Sequence, residues 1–80
     1  MDKNLLFKGL WAVILGGSSG FGYAAAEKLA KNGMNIAVLY RENKTADNAL
    51  KENLAQIAKT NSTTILPFNI NIYAIFYSIY

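Results

Sequence analysis

The chain has 80 residues, a net charge of +3 at pH 7, and neither cysteine nor histidine. That excludes within it a disulfide framework, a thiol nucleophile and the usual zinc sites, and its dispersed lysines form no basic run of the kind that binds nucleic acid. The length suits one small domain, which buries about 60–65% of its unfolded surface and is therefore marginally stable.

Residues 1–7 are short and run into Lys8-Gly9 without a long apolar core and a small-residue cleavage site, so they do not read as a targeting segment. A cytoplasmic protein with no membrane partner is expected. The apolar run from Trp11 to Leu15 predicts a first strand. Gly16, Gly17, Ser18, Ser19, Gly20 and Gly22 follow, and a helical segment opens at Tyr23. Strand, glycine-rich turn and helix in that order make a phosphate cradle: glycines admit a ligand close to the backbone, and the helix N-terminus offers free N–H groups and a positive dipole end. The Ser18 and Ser19 hydroxyls and N–H groups can donate to phosphate oxygens. Asn32-Gly33 closes the helix, with Gly33 suited to a left-handed cap. Residues 34–40 predict a second buried parallel strand.

A second helix is predicted over residues 45–59. It places Ala46, Ala49, Leu50, Leu54, Ile57 and Ala58 on its packed face, and Asp47, Lys51, Glu52 and Lys59 on or beside the solvated one. Thr45 or Asn43 would cap it. Residues 63–68 predict a third strand. Pro67 there suits a sheet edge, because proline cannot donate to a ladder. The fold class is therefore α/β: a β-α-β-α-β half of a Rossmann domain, parallel sheet order 3-2-1, over residues 1–70.

The spacing Gly16-x-x-x-Gly20-x-Gly22 differs from the commoner Gly-x-Gly-x-x-Gly dinucleotide fingerprint. It resembles the Thr-Gly-x-x-x-Gly-x-Gly signature of the short-chain dehydrogenase/reductase family, and the resemblance extends from about Leu6 to about Ile70. Leu15 stands where the family has threonine, which makes for a less rigid turn. The resemblance implies the N-terminal cofactor-binding portion of an NAD(P)-dependent oxidoreductase, ketoacyl reductases among its relatives. It also implies that the backbone N–H of Phe21 faces the pyrophosphate. Asn69 occupies the position of an aspartate beside the adenine and would contact that base, or else serve as a turn residue.

Arg41 decides the expected cofactor. The end of the second strand meets the adenosine ribose in a dinucleotide fold. This strand ends in Tyr40 and then in the chain's one arginine. A guanidinium binds a 2′-phosphate bidentately and keeps its charge, and in the resembling family an arginine here marks NADP(H), with NAD the lesser expectation. The family's chemistry needs a serine and a Tyr-x-x-x-Lys pair. Tyr40 and Lys44 meet that spacing literally, but at the adenosine end, so no catalytic residue is assigned.

Residues 71–80 form an uncharged aromatic tail. Two readings stay open: a truncated product of a longer reductase gene, inactive alone, or a genuine stand-alone nucleotide-binding or regulatory module that docks through this tail. Self-association or aggregation of the isolated chain through an unpaired first strand is expected if the fold is incomplete.

Overall fold

The computed structural model describes residues 7–16 and 20–70. Five elements follow one another: β1 (Trp11–Leu15), α1 (Gly20–Lys31), β2 (Asn35–Tyr40), α2 (Lys44–Asn61) and β3 (Ile65–Asn69). The strands form one parallel sheet in the order β1-β2-β3, with Leu15 opposite Leu39 and Tyr40 opposite Asn69. This is the expected α/β unit with its 3-2-1 order, built from two βαβ crossovers that share β2.

Gly9 and Gly16, both at positive φ, bracket β1 and stop its apolar run at either end. The helix α1 starts at Gly20, not at Tyr23, so two of the motif glycines lie inside its first turn. Beyond Lys31 it is closed off by Gly33, whose φ is 86°, with Gly33 N–H and Met34 N–H donating back to the Ala30 and Leu29 carbonyls. Asn43 is the N-cap of α2, its side chain accepting from Ala46 N–H at 2.8 Å. The other end of α2 closes on Ser62 in the left-handed conformation, with Thr63 N–H donating to the Ala58 carbonyl. That cap uses the residues expected to begin the third strand, which is why β3 starts at Ile65 and runs through Asn69.

Both helices lie on one face of the sheet, as successive right-handed crossovers in one direction require. The core consists of Ala26 and Ala30 of α1, Ile36, Val38 and Tyr40 of β2, and Leu50, Leu54 and Ile57 of α2. Ile14 of β1 and Ile65 of β3 pack against it from the flanks. Of the residues assigned to the packed face of α2, Ala49 is exposed, whereas Asp47, assigned to the solvated side, is buried. The Tyr40 hydroxyl explains the exception: it donates to the Asp47 carboxylate beneath the first turn of α2. A polar group can be buried when it is hydrogen-bonded.

The opposite face is apolar and uncovered among the described residues. Trp11, Val13 and Leu15 of β1 and Leu66 and Phe68 of β3 point there, each between 42% and 67% exposed. Asn35 N–H donates to the Leu10 carbonyl and Gly16 N–H to the Leu39 carbonyl. Even-numbered residues of β1 therefore bond to β2, and the main-chain groups of Trp11, Val13 and Leu15 turn to the outer edge. The same parity on β3, fixed by Ile36 N–H to Thr64 and Ile70 N–H to Tyr40, sends the nitrogen of Pro67 to the open edge, where a missing donor breaks no ladder bond.

Candidate functional site

The three strands are parallel, so their carboxyl ends make one rim, the place where open α/β sheets bind ligands. Gly16 leaves β1 there, Arg41 leaves β2 and Asn69 ends β3. Adjacent strands are about 4.8 Å apart, so the rim from Gly16 to Asn69 spans roughly 10 Å.

At Gly16, φ is 75°, and a Cβ built on it would meet nothing within 4 Å. The Gly16 N–H donates to the Leu39 carbonyl at 2.7 Å, which ties this end of β1 to β2. Ser18 and Ser19 lie outside the described residues. Gly20, Phe21 and Gly22 form the first turn of α1, a turn that carries no acidic residue. No acidic side chain of that turn lies at its positive dipole end. Gly22 is buried where α1 meets the sheet.

Arg41 is exposed, and among the described residues the one ion pair joins Lys51 to Asp47 at 3.2 Å. The guanidinium is consequently not committed to a carboxylate of the described chain. The backbone around it is fixed on both sides. Ile70 N–H donates to the Tyr40 carbonyl at 2.8 Å. The side chain of Asn69 spans Glu42: its Oδ1 accepts from Glu42 N–H and its Nδ2 donates to the Glu42 carbonyl, both at 2.9 Å. Asn69 is thus the last residue of β3 and not a turn residue. Nothing in the sequence marks this clamp, because its partner is main chain.

Tyr40 has no solvent exposure. Burial, then the hydrogen bond to Asp47 and that residue's charge, push its hydroxyl well above the ordinary tyrosine value. The Tyr40 hydrogen bond and Lys51 hold the Asp47 carboxyl below the usual carboxylate range against the opposing effect of burial, and Asn69 adds to the lowering. The Tyr40 hydroxyl is thus engaged with Asp47 inside the core of this unit. Among the described residues, no group of three or more potential ligands could hold a metal ion, and no helix is long and apolar enough to cross a membrane.

Known proteins share this architecture. A 17-beta-hydroxysteroid dehydrogenase type 3 of Danio rerio is 48% identical over 44 residues, 55% of this chain and 14% of that protein. A very-long-chain 3-oxoacyl-CoA reductase of Schizosaccharomyces pombe is 38% identical over 58 residues, 72% of this chain and 17% of that protein. The crystal structure of L-sorbose reductase from Gluconobacter frateurii, complexed with NADPH and L-sorbose, superposes with a TM-score of 0.70 at 30% identity, covering 90% of this chain and 25% of that one. The chain therefore spans only a small part of the length of its relatives. Residues 10–75, from the lead-in to β1 to beyond the clamp at Asn69, match the family described as short chain dehydrogenase, and the chain belongs to that family.

Proposed function

We propose that the chain is the NADP(H)-binding N-terminal part of a short-chain reductase and transfers no hydride by itself. One observation carries the reading: Arg41, exposed and without an ion-pair partner among the described residues, stands on the same rim as Gly16, at positive φ, and the acid-free first turn of α1. The turn and helix end would hold the pyrophosphate and Arg41 the 2′-phosphate. The bound nicotinamide nucleotide supplies or accepts hydride. Its complex with a relative of the same fold, L-sorbose reductase, supports the assignment. The similarity to 3-oxoacyl-CoA reductases over 72% of this chain supports a 3-oxoacyl thioester as the substrate of the full-length reductase.

Calorimetry with 2′-phospho-ADP-ribose and ADP-ribose tests the cofactor choice. The phosphorylated ligand binds more tightly, and Arg41→Ala removes about 1.5–3 kcal/mol of that preference, the worth of a charged hydrogen bond. Equal affinities in the parent chain would refute NADP. NADPH absorbance with 3-oxoacyl thioesters tests the inactivity: turnover that survives purification and that Tyr40→Phe abolishes would overturn it.

The bare side of the sheet gives the isolated chain a surface for association, and we propose that it self-associates. The outward main-chain groups of Trp11, Val13 and Leu15 are a template for strand pairing, and their side chains continue into an exposed apolar face with Leu66 and Phe68.

A further inference from the structure

The connection from β2 to α2 consists of Arg41, Glu42 and Asn43 alone. Every residue around Arg41 is held. Tyr40 is fixed through its carbonyl by Ile70, and through its hydroxyl by Asp47. Asn43 is fixed as the N-cap of α2. Glu42 would be the free hinge of this short connection, but the two 2.9 Å bonds from Asn69 close on its N–H and carbonyl. An Asn amide has one oxygen and one nitrogen, and here both are used on the N–H and carbonyl of one residue, from the end of β3 to the β2–α2 connection.

We infer that Asn69 is a positioning residue for cofactor specificity: by clamping the backbone of Glu42 it fixes where Arg41 presents its guanidinium to a ribose 2′-phosphate. The inference rests on the NADP(H) reading and deepens it. A bidentate guanidinium–phosphate contact depends on planar geometry, so a loose hinge one residue away weakens it even with Arg41 intact. A base-contacting Asn69 behaves differently, because both 2′-phospho-ADP-ribose and ADP-ribose carry adenine and both would weaken alike.

The test is Asn69→Ala in the full chain, with calorimetry of both ligands. The expected result is a loss of about tenfold for 2′-phospho-ADP-ribose, the scale of one charged hydrogen bond, with ADP-ribose essentially unchanged. In an Arg41→Ala background the same substitution changes the ratio no further. Equal losses for both ligands would assign Asn69 to adenine or to general stability and overturn the inference. A parent chain that binds both ligands equally refutes the NADP reading itself, a result separate from any Asn69 variant. Should the variant fail to fold, amide exchange in the unmodified chain decides: the Glu42 N–H is protected to the level of a strand amide such as Val38 N–H, and fast exchange at Glu42 overturns the clamp.

Discussion

Gly16→Ala and Gly9→Ala form a matched pair that tests the proposed phosphate-binding role of Gly16. Both glycines have positive φ, 75° and 84°, and a Cβ at either meets nothing within 4 Å. The cost of each substitution is then conformational alone: about 1–2 kcal/mol for an L-residue in the left-handed region, offset by about 0.4–1 kcal/mol from the stiffer unfolded chain. A net loss near 1 kcal/mol lowers the thermal midpoint of a domain this size by about 4–8 °C. Circular dichroism melts should therefore show similar shifts for the two variants. On the proposed reading their binding should differ: Gly16→Ala puts a methyl group at the proposed pyrophosphate site and weakens ADP-ribose, whereas Gly9→Ala, at the opposite end of β1, leaves it unchanged. A Gly16→Ala melt identical to the parent would refute the left-handed turn. A shift far larger than that of Gly9→Ala would show that the space is filled, and equal ligand affinity in both variants would remove Gly16 from the binding site.

Leu54→Ala, at a side chain 1% exposed, should cost about 2–5 kcal/mol in urea unfolding, a large share of the roughly 4–12 kcal/mol expected for a domain of this size; Leu66→Ala on the bare face should cost far less. The Tyr40–Asp47 pair makes stability fall at both pH extremes. Asp47 has a folded value below its ordinary 3.8, so its contribution is present above that value and is lost as pH drops through the folded one. Tyr40 has a folded value above its ordinary 10.0, so its contribution holds below pH 10.0 and declines above it; Tyr40→Phe should remove the alkaline loss and reduce the acid one in pH-dependent melts. Val13→Lys, at an edge position 67% exposed, should reduce self-association in sedimentation velocity without lowering the melting temperature; unchanged association would exclude β1 as the contact.

The elements that read correctly from the sequence are those set by local chemistry. β1 lies where Gly9 and Gly16 interrupt an apolar run, and Asn43 caps α2 because its side chain satisfies an N–H three residues on. What was illegible depends on contacts between distant segments. Helical periodicity places Asp47 among the solvated residues, and only a tyrosine from β2 makes its burial tolerable. Thr63 and Thr64 look like strand residues by composition, but the preceding left-handed cap at Ser62 takes them into the loop. At the candidate site, the glycine spacing and Arg41 are visible as a pattern of residue types. The amide of Asn69 acts on a main-chain unit 27 positions away, which no side-chain pattern records.

The chain has a single tryptophan, and its place on the bare side of β1, 52% exposed, makes it a natural optical reporter of that side. Its emission in the isolated folded chain should resemble that of an indole in water. Unfolding then changes its wavelength little, so a fluorescence melt will understate the transition that circular dichroism sees. Anything that covers the apolar side, whether another copy of the chain or the remainder of a reductase, moves the indole into a drier setting and shifts its emission to the blue.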